Sequence, residues 1–173
     1  MSFMSLRAFV LCGAVLAAAP CVAAGDAPAG VDVMRYVRRD SYGEIKISPK
    51  GDHYAATVPL EDRTILVIID RATARPTAKI EDDPDTVVAD FWWVNDHRVI
   101  AAMAKKYGRD DTPSLTGELV GVDADGKRAK WLTGPTDYTV AFMLDTLRDD
   151  PDNVLITVFP YGADVETSVE RMN

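Results

Sequence analysis

Serine and histidine side chains are the groups in this sequence that could perform nucleophilic catalysis. The chain contains six serines and two histidines, which are Ser2, Ser5, Ser41, Ser48, Ser114, Ser168, His53 and His97. A serine nucleophile needs an adjacent base and in one common form lies on a Gly-x-Ser-x-Gly elbow. No serine here has that flanking sequence, and both histidines follow predicted turns, where a solvated or packing role is typical. The sequence therefore predicts no catalytic residue.

Two acidic clusters and one turn carry the oxygen ligands that a calcium ion prefers. The clusters lie at residues 81–85 and 149–152, and the turn lies at residues 123–126. The turn lacks the third spaced acid of an EF-hand loop, and Gly134 stands where the terminal glutamate would be. Two histidines without His-x-x-x-His spacing also make a poor zinc site. We interpret the acids as solvated turns and predict no metal ion and no cofactor.

The three tryptophans, Trp92, Trp93 and Trp131, could form a platform for a carbohydrate or a peptide. They could also fill the space between packed sheets, since each buries a large apolar area. Neighbouring residues on a strand point to opposite faces of the sheet. We therefore expect at least one of Trp92 and Trp93 to belong to the core.

Composition places the chain among globular proteins and excludes several functional classes. Its 173 residues correspond to one domain or a piece of a larger one, and 47% are apolar and 27% charged. The net charge of −8 leaves no basic face for phosphate groups, so nucleic acid is not an expected partner. Collagen, coiled coil and multi-span membrane protein are excluded by the same composition.

The N-terminal residues have the layout of a secretory signal peptide. A basic residue precedes an uncharged apolar run at residues 8–19, and small residues at 22–24 form a cleavage site. The run is too short to span a bilayer, so a retained membrane anchor is the weaker alternative. A lipid anchor on Cys21 is a further alternative, which Pro20 immediately before that cysteine disfavours. We expect residues 1–24 to be removed, a periplasmic or secreted location, and no membrane association after cleavage. Cys12 and Cys21 would be removed as well, so neither a disulfide nor thiol chemistry is expected.

From residue 42 onward, alternating apolar and polar residues separated by turn sequences predict an all-β fold. Ser48-Pro49-Lys50-Gly51 predicts a type I turn, and residues 123–126 predict another. Residues 25–41 are expected to form a loose lead-in. Apolar residues at three-residue spacing, at positions 31, 34 and 37, are compatible with a short helix at residues 31–39.

Equivalent positions recur along the predicted strands. Asp70, Asp123 and Asn173 mark the ends of equivalent strands, and His53 and His97 mark the starts of second strands. A period of roughly forty to fifty residues is typical of the four-stranded blades of a β-propeller. We predict an incomplete β-propeller with two four-stranded blades and most of a third, at about residues 42–81, 86–134 and 140–173. An ordinary β-sandwich with a chance spacing is the alternative.

The predicted number of blades is too small to close a ring. A propeller removes its open edges by closing about four to eight blades, and exposed edge strands invite pairing with other chains. We therefore expect the chain to be the opening portion of a longer protein or a truncated product of one. A self-contained β-domain that oligomerises through its open edges is a weaker alternative.

Several segments, in order, resemble the propeller of a known enzyme family. Residues 44–56 read Glu-Ile-Lys-Ile-Ser-Pro-Lys-Gly-Asp-His-Tyr-Ala-Ala and resemble the strand–turn–strand opening of blades in prolyl oligopeptidase-like serine peptidases of the S9 family. The similarity continues through residues 88–99, through 115–126 around the sequence Leu-Thr-Gly-Glu-Leu, and through 144–156. The similarity is greatest to exported bacterial members of the family, and it covers nearly all of the mature chain.

The resemblance implies a two-domain enzyme. An N-terminal propeller caps a C-terminal α/β-hydrolase domain with a Ser-Asp-His triad and filters peptide substrates by size. No position in this chain matches a triad member or an oxyanion donor, so no catalytic residue is carried over.

The expected function is thus the non-catalytic propeller portion of such a peptidase, inactive alone. Its expected partners are the C-terminal hydrolase domain, which this chain lacks, and the peptide substrate of the full-length enzyme. The alternative is a periplasmic propeller-type protein-interaction module without enzymatic activity.

Overall fold

The computed structural model describes residues 41–109, 112–134, 136–162 and 166–173. The predicted signal peptide and the short helix expected within residues 31–39 lie outside these ranges. Within them the chain is all-β, as predicted, and it contains no helix long and apolar enough to cross a membrane. The strands, in chain order, are β1 (Ile45–Ile47), β2 (His53–Pro59), β3 (Thr64–Asp70), β4 (Arg75–Ile80), β5 (Thr86–Trp93), β6 (Arg98–Lys105), β7 (Ser114–Asp123), β8 (Lys130–Thr133), β9 (Thr139–Asp145), β10 (Val154–Pro160) and β11 (Ser168–Met172).

Antiparallel pairing groups the strands into three consecutive meanders, in which each strand pairs with the next one along the chain. The first meander is β1–β4, the second is β5–β8 and the third is β9–β11. One parallel pair, Thr64 with Val87, joins the first two meanders into an eight-stranded sheet. The third meander forms a separate three-stranded sheet, and both sheets are open.

Most predicted strands are present, with shifts at their ends. The sequence predicts strands at residues 117–123 and 130–133; β8 has the second pair of bounds, whereas β7 begins at Ser114 rather than at residue 117. A register shift between β6 and β7 interrupts the apolar alternation there, and this irregularity hid the start of β7. The second strands begin at His53 and Arg98, so the alignment of His97 with His53 was wrong by one residue. Both starting residues pair with the aspartate that ends the third strand of their meander.

Hydrogen bonds close the two turns that the sequence predicted. The Gly51 N–H donates to the Ser48 carbonyl oxygen at 2.8 Å, and the Gly126 N–H donates to the Asp123 carbonyl oxygen at 2.9 Å. The Ser48 side chain is buried, and its Oγ accepts hydrogen bonds from the next two backbone N–H groups after Gly51, both at 3.1 Å. The first turn is therefore held by both its backbone and its serine side chain.

A hydrophobic cluster fills the space between the first and second meanders. Because side chains alternate along each strand, every second residue of the paired strands faces this space. The Phe91 and Leu66 side chains are fully shielded from solvent, and burying one such side chain contributes about 2 kcal/mol. The buried members are Ala55, Leu66, Ile68, Ile80, Val88, Phe91, Val99, Ala101, Met103, Val120, Val122 and Ala124.

A second cluster lies between the second and third meanders. The second meander contributes its opposite face, so its strand β6 is buried on both sides and reads as a nearly continuous apolar run. The buried members are Val94, Ile100, Ala102, Leu119, Ala141, Val154, Ile156 and Val158.

Gly117 allows the third meander to approach β7 closely. A Cβ atom built on Gly117 would lie 2.3 Å from the Val140 Cβ, and the φ angle of Gly117 is +76°. The buried Thr133 side chain compensates for the irregular pairing nearby. Its Oγ donates to the Gly117 carbonyl oxygen at 3.1 Å and accepts from the Leu119 N–H at 3.0 Å. A residue with a side chain at position 117 would therefore clash with the third meander.

Candidate functional site

A cleft of about 750 Å³ is bordered by β1, by β5 and by the turn that follows β9. We call it the first-strand cleft, because each of these strands is the first of its meander. The repeat thus places equivalent parts of all three meanders around one space. Its volume lies within the usual range of ligand-binding pockets. The lining residues are Lys46, Ile47, Pro49, Trp92, Trp93, Val94, Asn95, Asp96, Thr146, Arg148 and Pro151.

Lys46 connects β1 to β5 at the edge of this cleft. Its Nζ donates hydrogen bonds to Asp90 Oδ1 at 2.8 Å and to the Phe91 carbonyl oxygen at 2.6 Å, and it lies 3.2 Å from Glu44 Oε1. The same ammonium group lies 4.5 Å from the centroid of the Phe91 ring, within the range of a cation–π interaction. Lys46 therefore links β1 to β5, and its ammonium group donates its hydrogen bonds to these protein partners.

Trp92 and Trp93 pack on opposite faces of β5. Trp93 packs against the first hydrophobic cluster, and its Nε1 donates to the Lys46 carbonyl oxygen at 3.2 Å. Trp92 packs against the second cluster. The expectation that at least one of the two belongs to the core is confirmed, and both rings also line the first-strand cleft. Trp131 lies apart from this cleft, on β8, and is 40% exposed.

Polar contacts join the turns around the cleft. Lys50 Nζ lies 2.6 Å from Asp96 Oδ2, which ties the β1–β2 turn to the β5–β6 turn. The hydrogen bond with Asp96 raises the pKa of Lys50 above its ordinary value. Asn95 Nδ2 donates to the Pro151 carbonyl oxygen at 2.8 Å and ties the second meander to the third. The cleft is therefore bordered by turns that are fixed to one another.

The lining of the cleft combines aromatic rings with side chains of both charges. It offers the indole of Trp92, the cation of Arg148 at the exposed rim and the carboxylate of Asp96. None of the described lining residues is a serine, a cysteine or a histidine. Aromatic and polar groups in this arrangement can contact an extended polypeptide.

The serines occupy positions in turns and strand ends. Ser48 is buried beneath its turn, Ser114 and Ser168 begin β7 and β11, and Ser41 is exposed. The first two serines of the chain lie outside the described residues. The Ser168 hydroxyl contacts Glu170 Oε1 at 3.0 Å. No hydrogen bond within the described ranges joins a serine hydroxyl to a histidine ring.

The two histidines differ in their surroundings. His97 is exposed, whereas the Nδ1 atom of His53 is buried and has no hydrogen-bond partner among the described residues. The His53 ring lies 6.3 Å from the Trp93 ring, measured between centroids. His53 is therefore a packing residue next to the first cluster.

The two acidic clusters are held by local partners. Glu81 pairs with Lys79, whose hydrogen bond lowers the pKa of Glu81, and Arg63 Nη1 lies 3.7 Å from Glu81 Oε1. Asp150 accepts hydrogen bonds from Asn153 and pairs with an arginine of β11, and the Asn153 contact is the main cause of its lowered pKa. Where the structure describes the chain, no three histidine, cysteine or acidic side chains gather around a common point that could hold a metal ion.

An ion cluster at the ends of β6 and β7 was missed from the sequence. The Asp123 carboxylate accepts hydrogen bonds from Arg98 Nη1 and Arg128 Nε, both at 2.7 Å, and Arg98 also donates to the Arg128 carbonyl oxygen at 3.2 Å. Burial by itself raises the pKa of Asp123, but the hydrogen bonds and charges of the two arginines outweigh burial and lower it. The available signal was the placement of opposite charges at facing ends of a predicted hairpin.

Comparison with known proteins adds information on the fold. No protein-family model matches the chain, and no curated protein matches it. Among solved structures, the chain is similar to a protein from Clostridium novyi NT that is described as a conserved lipoprotein. The TM-score is 0.50 at 14% sequence identity, and the alignment covers 78% of this chain and 87% of the other. A similarity at this level of identity concerns the fold alone.

Proposed function

We propose that this chain is the non-catalytic propeller portion of a prolyl oligopeptidase-like serine peptidase and that it acts with an α/β-hydrolase domain on peptide substrates. The observation that carries the proposal is the repeat of consecutive antiparallel meanders, whose strands contain the segments that resemble blades of this family. In this arrangement the two four-stranded meanders are blades and the third meander is the larger part of another blade.

The packing of the meanders supports this arrangement. Propeller blades are small antiparallel sheets placed around a central channel. Here the meanders pack through two separate hydrophobic clusters, one on each face of the second meander. The first strands of the first two meanders border a common cleft with the third. In the proposed protein this cleft is part of the channel that peptides enter, and the channel selects them by size.

Export is part of the proposal. The apolar run and the small-residue cleavage site within residues 1–24 support it. We propose a periplasmic or secreted location.

The proposal is tested on the full product of the reading frame that contains this chain. We expect the purified product to hydrolyse short peptides and a fluorophosphonate inhibitor to abolish the activity. We expect the 173-residue chain alone to show no turnover. A full product without inhibitor-sensitive hydrolysis would overturn the proposal, and so would inhibitor-sensitive hydrolysis by the 173-residue chain alone.

The same experiment separates the alternative function. A full product that contains further β-meanders, lacks hydrolysis and retains one protein partner through stringent washing would favour a propeller-type interaction module. The exposed apolar residues of the third meander, such as Leu144 at 56% and Val169 at 60% exposure, are the surface that such a partner would contact.

A further inference from the structure

A groove of about 530 Å³ lies between the second and third meanders. We call it the Arg128 groove. Its deepest part is apolar and belongs to the second hydrophobic cluster, for example Ile100 and Val154, which are 3% and 4% exposed. Its rim carries charges from Arg98, Arg128 and Lys130. An apolar floor with a charged rim is suited to a ligand that is apolar at one end and ionised at the other.

Two cations of the rim, Arg128 and Lys130, retain hydrogen-bond donors that no described protein group occupies. Arg98 is largely enclosed, with 17% of its side chain exposed, and is bound to Asp123. Arg128 contacts Asp123 through Nε only, and 65% of its side chain is exposed. Within the described residues, neither the two Nη groups of Arg128 nor the Nζ of Lys130 has a hydrogen-bond or ion-pair partner. These donors are therefore available to a ligand in the groove.

The charges of the groove select a ligand with a single negative charge. Asp123 is bound by both arginines and Asp152 lines the groove, so among the described residues Lys130 is the rim cation without a carboxylate partner. A monoanion neutralises this charge. A dianion such as a phosphate monoester would be repelled by the two carboxylates. The groove therefore favours a carboxylate.

We propose that the Arg128 groove binds the C-terminal carboxylate of a peptide that ends in an aliphatic residue. The carboxylate accepts charge-assisted hydrogen bonds from Arg128 and Lys130, and the aliphatic side chain covers the apolar floor. Asn153 also lines the groove, and its Nδ2 is bound to Asp150. Its Oδ1 is left to accept a hydrogen bond from the peptide N–H, which a fatty acid lacks. This binding proposal does not depend on the peptidase proposal above, because the groove is formed only by residues of this chain.

Binding is measured by isothermal titration calorimetry on the full chain. The two probes are N-acetyl-Ala-Ala-Leu with a free C-terminal carboxylate and the same peptide with a C-terminal amide. We expect saturable binding of the acid and at least tenfold weaker binding of the amide, since the amide lacks the ionised partner of the cations. Sodium decanoate, which has the carboxylate without peptide groups, should bind more weakly than the acid peptide.

Variants with a matched control locate the site. Lys130→Gln should weaken binding of the acid peptide about tenfold, and the addition of Arg128→Gln should weaken it further. Lys127→Gln is the control, because it removes the same charge from a nearby position that pairs with Asp125 and does not line the groove. We expect this control to bind within twofold of the unmodified chain.

Four outcomes would overturn the proposal. They are absence of saturable binding at millimolar peptide, equal binding of acid and amide, tighter binding of decanoate, and an equal loss in the Lys127 and Lys130 variants. Thermal melts followed by circular dichroism check folding. Because Lys130 has no described partner, Lys130→Gln keeps the test valid even where Arg128→Gln unfolds the protein. A negative result here leaves the peptidase proposal standing, since that proposal is measured by hydrolysis.

Discussion

The second meander makes two interfaces of different character. Towards the first meander it buries the large side chains of Phe91 and Met103, and the ammonium groups of Lys46 and Lys50 add ion pairs across the boundary. Towards the third meander all of the buried cluster residues are aliphatic. Among the described residues, the hydrogen bond of Asn95 to Pro151 is the one side-chain hydrogen bond that crosses this second boundary.

The difference shows where this molecule has room for a ligand. The first-strand cleft and the Arg128 groove both border the second interface and share Asn95, and the cleft is also lined by residues of the first meander. A ligand that binds to both sheets at such a boundary favours the docked state of the third meander by mass action. We therefore expect the first interface to determine stability and the second to respond to ligands.

Removing the largest buried side chain of the first interface should have the largest effect. Phe91→Ala should lower the free energy of unfolding by about 4 kcal/mol, because it leaves a cavity and removes the ring beneath Lys46. Ile156→Ala, at an equally buried site in the second cluster, should cost about 3 kcal/mol. Urea unfolding measures both values. A larger loss for Ile156→Ala would reverse the proposed ranking of the interfaces.

The next largest loss of stability is expected at Gly117, where the third meander approaches β7 closely. Gly117→Ala should cost about 3 kcal/mol, because the added Cβ meets Val140 and the backbone has positive φ. Gly108→Ala is the matched control, since its φ is also positive but no atom lies within 4 Å of the added Cβ; it should cost about 1 kcal/mol. Hydrogen exchange should show faster opening of the third meander in the Gly117 variant only. Equal losses would mean that backbone strain, and not the clash, determines the cost.

The Asp123 ion cluster predicts a dependence on pH. The folded-state pKa of Asp123 lies below its ordinary value of 3.8, so its contribution is complete above that value and is lost as the pH falls through the folded-state pKa. Asp123→Asn should cost about 2 kcal/mol at neutral pH, because the enclosed Arg98 loses its partner. In urea unfolding, the curves of the variant and the unmodified chain should converge in acid. Asp125→Asn, on the exposed side of the same turn, is the control and should have little effect at any pH. A gap that stays constant with pH would contradict this account.

The smallest effect is expected at Lys46. Lys46→Met keeps the length of the side chain but removes its charge, and it should lower the free energy of unfolding by about 1 kcal/mol, since Asp90 and Glu44 remain partly solvated. Lys79→Met, which removes an exposed ion pair outside the interface, should cause no measurable change. Thermal unfolding at low and high salt would show the difference. If Lys46→Met and Lys79→Met changed the unfolding temperature equally, the charge of Lys46 would contribute nothing to the stability of the first interface.

The strands and turns could be predicted because they depend on local sequence. Alternation and a Ser-Pro-x-Gly turn predicted β2 and its neighbours, and β8 was predicted with its observed bounds. The ion cluster of Arg98, Asp123 and Arg128 could not be placed, because it needs the register of a hairpin with a long connecting loop. The contacts of Lys46 depend on the packing of one meander on another, which no local pattern encodes.

The aspartate at the end of the third strand makes different contacts in the first and second meanders. Asp70 binds the backbone N–H and the hydroxyl of Thr73, at 2.7 and 2.6 Å, inside its own turn. Asp123, its counterpart in the second meander, has instead taken two arginines as partners, while its backbone carbonyl still closes the turn to Gly126. Two equivalent positions in successive meanders can thus serve different purposes, since one fastens its own turn and the other neutralises a largely enclosed arginine.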